Sequence, residues 1–122
     1  MGDVLKPVGV YASYIQAGDF LYISGQIGIA DGALVDGGFR EQLDQVFHNL
    51  RQVFGGAGIS AKDVVKTTVF LVCMDNYEAM NQTYCDFFGH HRPARSTVAV
   101  ASLPLGALVE VEAIAYLVDD SN

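Results

Sequence analysis

The stretch that organises this 122-residue chain is Val109-Glu110-Val111-Glu112-Ala113-Ile114-Ala115-Tyr116. In an extended strand, side chains two positions apart point to the same side of the sheet. The stretch therefore predicts a strand with one apolar face and one face that carries both glutamates. The apolar face takes Val109, Val111, Ala113 and Ala115, and the other takes Glu110, Glu112, Ile114 and Tyr116.

Arg95 is the cation that the sequence places best to act with these glutamates. It opens a predicted strand, Arg95–Val100, and the break at Pro104 separates that strand from the next, Ala107–Leu117. Charges beside apolar strands are costly unless they are paired, lie at an edge or take part in function. A guanidinium can hold a carboxylate by two parallel hydrogen bonds, and a glutamate can take a proton from water. The pattern therefore indicates a site for a small carboxylate.

Upstream, periodicity predicts two helices among further strands. Apolar residues recur at helical spacing over Phe39–Phe54, which we expect to end at Gly55 and Gly56. A second helix is expected from a cap at Asp75 to a stop at Gly89. Predicted strands occupy residues 8–17, 20–27 and 64–73. The chain is thus expected to form one α+β domain over residues 1–122, with two helices covering one face of a mixed sheet.

The two faces of this sheet are expected to differ in what covers them. The helices should cover Leu21, Ile23, Val65, Val69, Val109 and Val111. The opposite face carries Tyr22, Thr68, Phe70, Ile114 and Tyr116, which is too apolar a set to face water. We therefore expect that face to pack against other subunits.

Composition narrows the classes of function. The formal net charge is −7, with 51% hydrophobic and 17% charged residues. An acidic chain without a basic cluster disfavours nucleic-acid binding, including a ribonuclease role. No apolar run is long enough to span a membrane, and Met1–Lys6 lacks the features of a signal peptide. We expect a cytoplasmic protein with reduced cysteines.

Other chemistries find little support in the residue pattern. Cys73, Cys85, His90 and His91 match no usual zinc spacing, so no metal site is expected. Cys85, within the aromatic second helix, is expected to pack in the core. Ser96 lies beside Arg95 but has no evident histidine partner for a catalytic triad.

Four motifs stand in the order and at the spacing of one known family: Ser24-Gly25-Gln26-Ile27, Val64–Leu71, Pro93–Val98 and Val109–Ala115. Together they resemble the RidA (YjgF) family of enamine and imine deaminases, from about Gly9 to Tyr116. The resemblance implies a chorismate-mutase-like α+β fold and a homotrimer with sites in the clefts between subunits.

The resemblance also implies a reaction and its residues. Family members hydrolyse reactive 2-imino and enamine acids, such as 2-aminoacrylate and 2-iminobutanoate, to 2-oxo acids and ammonia, without metal or cofactor. By this resemblance Arg95 would bind the substrate carboxylate and Glu110 would position the attacking water. The substrate-binding residues would be Tyr11, Gly25, Asn81 and Thr97, with Gly25 acting through its backbone and Thr97 standing where many members have cysteine.

Two departures from the family pattern leave the substrate open. The segment Gly9-Val10-Tyr11-Ala12-Ser13 keeps the family's tyrosine but lacks its proline and glutamine, and Leu105 replaces a frequent lysine. A larger acid such as 2-aminomuconate is therefore an alternative substrate. A non-catalytic trimer that binds small carboxylates through Arg95 is an alternative function, and holding of unfolded chains also stays open.

Overall fold

The alternating stretch forms the central strand of a five-stranded sheet. The computed structural model describes residues 10–117; residues 1–9 and 118–122 of the predicted domain lie outside the described residues. The elements are β1 Tyr14–Ala17, β2 Phe20–Gln26, β3 Ile29–Ala30, β4 Ala33–Leu34, α1 Phe39–Ala57, β5 Val64–Leu71, α2 Tyr77–Phe88, β6 Ala94–Ala99 and β7 Val109–Tyr116. The sheet order is β1-β2-β7-β5-β6, and β3 and β4 form a separate small hairpin.

The sheet is mixed, as predicted. β5 and β6 run parallel because α2 carries the chain back between them, whereas β1–β2, β2–β7 and β5–β7 are antiparallel. β7 alternates between buried and partly or fully exposed residues from Val109 to Tyr116. Its buried residues lie under the helices, so the predicted α+β arrangement with two helices on one face is confirmed.

The core lies between the helices and that face of the sheet. Its fully buried aliphatic and thioether side chains are Leu43, Val46, Leu50, Val53, Val64, Val69, Leu71, Met80, Val109 and Val111. Burying an aliphatic side chain of this kind contributes about 1.5–3 kcal/mol, so this layer is the main source of stability. The other side of the sheet, which we call the open face, carries Ile15, Phe20, Tyr22, Val98 and Tyr116 as exposed large side chains.

Two irregularities in the pairing change which residues reach the core. The register of β5 against β7 shifts between Val64 and Lys66, so Val64 is buried and Val65 is 41% exposed. The predicted burial of Val65 is therefore wrong, because strict alternation does not anticipate an inserted residue. The register of β2 against β7 shifts between Ile23 and Gln26, which places Gly25 within a bulge.

Helix ends differ from the predictions for local reasons. α1 continues past Gly55 and Gly56 to Ala57 and is capped by Gly58, whose φ of 77° lies in the left-handed region that favours glycine. α2 begins at Tyr77 after a 3-10 turn, Met74–Asn76, so Asp75 lies in that turn and not at the helix cap. Cys85 is exposed on α2, and its predicted core position is wrong. No helix within residues 10–117 is long and apolar enough to cross a membrane.

Candidate functional site

Arg95 lies on β6, the edge strand, and points to the side that α2 covers. It stands opposite buried Thr67 of β5. Its Nη2 donates to the Tyr77 hydroxyl at 3.1 Å, and its Nη1 contacts Met80 Sδ at 3.8 Å. The guanidinium carbon lies 4.7 Å from the centre of the Tyr84 ring. None of these contacts is with a carboxylate, so within residues 10–117 the charge of Arg95 has no counter-ion.

Thr97 and Asn81 lie near the same edge. Thr97 is two residues beyond Arg95 on β6 and therefore shares its face; its hydroxyl is shielded from water and has no hydrogen-bond partner within residues 10–117. Asn81 follows Tyr77 by four residues on α2 and therefore lies on the same side of that helix. We call Arg95, Thr97 and Asn81 the Arg95 cluster.

Glu110, on β7, lies on the open face of the sheet, and its side chain packs against the bulge in β2. A Cβ atom added to Gly25 would lie 2.8 Å from Cδ and 2.9 Å from Cγ of Glu110. Only glycine leaves room for the carboxylate at this place. Gly25 therefore lies both within a bulge and in close contact with Glu110. We call Glu110 and Gly25 the Glu110 cluster.

The Glu110 carboxyl has a raised pKa. Burial is the larger cause, because desolvation disfavours the charged form, and the negative charge of Glu112 on the same face adds to it. A carboxyl shifted in this direction holds a proton at higher pH than an ordinary glutamate does, which is a property of groups that exchange protons during catalysis.

Tyr11 lies at the Glu110 end of the sheet. It is exposed, and its neighbours in the chain are tied to β2: the Ser24 hydroxyl donates to the Ala12 carbonyl at 2.6 Å, and the Ser24 amide donates to the Ser13 carbonyl at 3.0 Å. These bonds hold the segment next to Gly25, which follows Ser24 directly.

The two clusters lie on opposite faces of the sheet. Glu110 stands opposite Phe70 of β5 on the open face, whereas Arg95 stands opposite Thr67 on the helix-covered face. β5 separates their strands, which places the two backbones about 10 Å apart across the sheet. The sequence placed Arg95 and Glu110 near one sheet surface; within one copy of the chain they do not meet.

Four residues that support the clusters were not singled out from the sequence. Tyr77 and Tyr84 contact Arg95. The Tyr84 hydroxyl forms a hydrogen bond with Oγ1 of Thr67 at 2.7 Å. Burial raises the pKa of Tyr84, while Thr67 and the charge of Arg95 act in the opposite direction. The other two residues, Gln42 and Asn49, lie on α1.

Gln42 and Asn49 are buried polar residues on the apolar side of α1. The Asn49 side chain donates to the carbonyls of Ile27 and Ile29 at 3.2 and 3.0 Å, and Gln42 Oε1 accepts from the Leu108 amide at 2.9 Å. These bonds fix the segment after Gly25 and the start of β7 just before Glu110. Their spacing of seven residues, which places both on the apolar side of the helix, is the signal that would have identified them.

The cysteines and histidines take ordinary structural positions. Cys73 and Cys85 are free and exposed, and one ring nitrogen of His91 donates to the Val64 carbonyl at 2.6 Å. Within residues 10–117, no three of the His, Cys, Asp and Glu side chains gather in a way that could hold a metal ion.

The two-layer fold, the edge-strand arginine and the glutamate against a glycine bulge together define a RidA-like class of α+β protein. The model of one family, described as endoribonuclease L-PSP, matches residues 1–117. The chain belongs to that family, and the predicted resemblance to RidA (YjgF) proteins is confirmed.

Curated relatives match over most of their length. A RutC family protein from Pyrococcus horikoshii is 44% identical over 113 residues, covering 91% of this chain and 90% of the relative. A mouse protein named 2-iminobutanoate/2-iminopropanoate deaminase is 41% identical over 110 residues, covering 88% of this chain and 82% of the relative.

Solved structures share the fold. RidA from an Antarctic Psychrobacter superposes with a TM-score of 0.88 at 35% identity, covering 95% of this chain and 97% of that one. TdcF from E. coli, solved with bound serine, superposes with a TM-score of 0.85 at 30% identity, covering 96% of this chain and 97% of that one.

Proposed function

We propose that this protein hydrolyses small 2-imino and enamine carboxylic acids to 2-oxo acids and ammonia. The observation that carries the proposal is an arginine that has no counter-ion among residues 10–117, together with a half-buried glutamate whose pKa is raised. These are the groups that the reaction needs, one for the substrate carboxylate and one for a proton. The name of the mouse relative, at 41% identity, supports the same reaction.

The reaction needs little more than binding and proton transfer. The Arg95 guanidinium would hold the carboxylate, which leaves the adjacent imine carbon exposed to water. As a water oxygen bonds to that carbon, Glu110 would take a proton from the water. Glu110 would then pass that proton to the nitrogen, which completes the addition of water and gives a carbinolamine. In the second half of the reaction Glu110 would move the hydroxyl proton to the nitrogen, the carbon–nitrogen bond would break, and ammonia would leave as the carbonyl forms. No electrons are exchanged, so the step needs no redox cofactor.

We further propose that the complete site forms between copies of the chain, in a homotrimer. Arg95 and Glu110 lie on opposite faces within one copy, so one substrate can reach both only if they come from different copies. The open face supplies a reason for assembly, since Phe20, Tyr22 and Tyr116 are each about two-fifths or more exposed there. A cytoplasmic location, where exposed Cys73 and Cys85 would stay reduced, is part of this proposal.

The test couples the purified protein to a threonine dehydratase and traps residual imine with semicarbazide. The wild type should speed release of the 2-oxo acid and reduce the trapped imine. Arg95→Ala and Glu110→Gln should each abolish this effect while remaining folded and assembled. A wild type without effect on 2-iminobutanoate, but active on an aminomuconate, would move the proposal to the larger acid. Inactivity on both would refute it.

A second candidate function is a carboxylate-binding module without turnover. It is favoured by the solved TdcF structure, which contains bound serine. Both functions would use Arg95, so they separate at Glu110. Glu110→Ala should abolish turnover and spare ligand affinity if the protein is an enzyme, whereas a wild type that binds 2-oxo acids without turning over imines identifies a binding module.

A further inference from the structure

Three residues of α2 contact the Arg95 guanidinium, and among residues 10–117 only one of its contacts is a hydrogen bond to oxygen. The Tyr77 hydroxyl accepts from Nη2 at 3.1 Å, the Met80 thioether lies 3.8 Å from Nη1, and the Tyr84 ring lies against the guanidinium. Thioether sulfur is a weak acceptor and an aromatic ring fixes distance better than rotation. Among these three contacts, Tyr77 is therefore the one that sets the rotation of the guanidinium plane.

The orientation of this plane decides what Arg95 can bind. A guanidinium has five N–H donors in a rigid fork, and a carboxylate is gripped well only when two parallel donors are aligned with it. Tyr77 uses one donor of Nη2, and the Tyr84 ring covers one face of the group. The donors that remain can then point in only a narrow range of directions.

Tyr77 is itself well placed to be a fixed reference point. It is the first residue of α2, directly after the Met74–Asn76 turn, and it is partly buried against the core. Its ring centre lies 5.7 Å from the guanidinium carbon, so the ring also shields the charge from one side.

We propose that Tyr77 is a positioning residue for the carboxylate clamp: its hydroxyl orients the Arg95 guanidinium and thereby sets affinity for the substrate carboxylate. This inference rests on the proposed function, in which Arg95 binds the carboxylate. Tyr77 acts through Arg95 and has no part in the proton transfer at Glu110.

The test removes the hydroxyl alone. Tyr77→Phe keeps the ring and its packing, and Tyr14→Phe is the matched control, because Tyr14 is also partly buried but lies on β1 at the opposite edge of the sheet. Affinity for 2-oxobutanoate is measured by calorimetry, and kcat and KM by the semicarbazide assay. Tyr77→Phe should weaken affinity and raise KM about tenfold with kcat within about twofold, the size expected for a charge-assisted hydrogen bond. Tyr14→Phe should change neither.

A double-mutant cycle separates positioning from a general structural effect. In the Arg95→Lys background there is no planar fork to orient, so Tyr77→Phe should cause no further loss of affinity. An equal loss in both backgrounds, or unchanged affinity in the single variant, would overturn the proposal. Nitrogen-15 NMR of the Arg95 side chain gives a readout without ligand: rotation of the guanidinium should be slower in the wild type than in Tyr77→Phe, and equal rates overturn the inference.

The outcomes for the two proposals remain distinct. A wild type that binds 2-oxobutanoate but does not turn over imines removes the deaminase function and leaves the Tyr77 inference to be decided by the affinities. Normal turnover with equal KM in the wild type and Tyr77→Phe removes the Tyr77 inference alone.

Discussion

Gly25→Ala should inactivate the protein without unfolding it. A Cβ atom at this position would lie 2.8 Å from Cδ and 2.9 Å from Cγ of Glu110, whereas carbon atoms in good contact are about 3.5–4.0 Å apart. The Glu110 carboxylate must therefore move by about 1 Å. Gly25 is not among the residues with positive φ, so alanine fits its backbone, and the atoms it meets belong to the movable end of a side chain.

A displacement of this size in a proton-transferring group costs about 100-fold in kcat, or about 2.7 kcal/mol. KM should stay within about threefold, because in the proposed site the substrate carboxylate is bound by Arg95 and not by Glu110. The semicarbazide assay measures both parameters. The control is Gly55→Ala, since Gly55 is exposed in α1 with open space around it. It should keep the wild-type rate and gain up to about 1 kcal/mol of stability. A folded Gly25→Ala variant with wild-type kcat would refute the assignment of Glu110 as the group that handles the proton.

Glu112→Gln removes the lesser cause of the raised Glu110 pKa, so the acidic limb of the profile of kcat/KM against pH should move to lower pH but not disappear. Because the pKa of Glu110 is raised in the folded state, its contribution to folding is fully present below its ordinary pKa and is lost as the pH rises through the raised value. The free energy of unfolding in urea should therefore decline over this pH range in the wild type. Glu110→Gln should lessen that decline. Asn49→Ala leaves two carbonyls without their hydrogen bonds and should cost about 2–3 kcal/mol in the same unfolding measurement. Replacing its partly buried partner Gln45 with Ala leaves both carbonyl bonds in place and should cost less than about 1 kcal/mol. Arg95→Lys keeps the charge but loses the planar fork, and should reduce kcat/KM at least about tenfold.

The arrangement of layers could be predicted from the sequence because it depends on patterns that extend over many residues. The alternation in β7 and the apolar side of α1 each rest on several side chains, so one exception does not change the result. The local details that failed depend on single residues. The inserted residue in β5 turns the Val65 side chain away from the core. Helix α1 is ended by Gly58, which takes a left-handed conformation, although Gly55 and Gly56 come earlier in the chain.

The placement of the site could not be predicted for a related reason. Sequence position indicates which strand carries Arg95 and which carries Glu110. The side of the sheet to which each side chain points depends on how its strand is paired with β5. Arg95 stands opposite Thr67 and Glu110 opposite Phe70, three residues apart on that strand. Since side chains alternate between faces, an odd separation puts the two charges on opposite sides of the sheet. A shift of one residue in either pairing would have placed them together.

In the proposed homotrimer, this placement links Arg95 and Glu110 to the stability of the assembly. Across the part of the chain that the structure describes, Arg95 has no counter-ion and the shielded Thr97 hydroxyl has no hydrogen-bond partner. Each therefore carries a desolvation cost, and burial of Glu110 adds to it. If copies join through the open face as proposed, a bound carboxylate supplies the missing partner of Arg95. Ligand binding should then stabilise the assembled form, since a ligand that binds only the assembled state shifts the equilibrium towards it. Tyr22→Asp, which places a charge on the open face, should give smaller particles in sedimentation and should also abolish the rise in melting temperature with 2-oxobutanoate. A variant that sediments as a single copy but keeps that rise would show that one copy binds the carboxylate unaided, and the composite site would have to be abandoned.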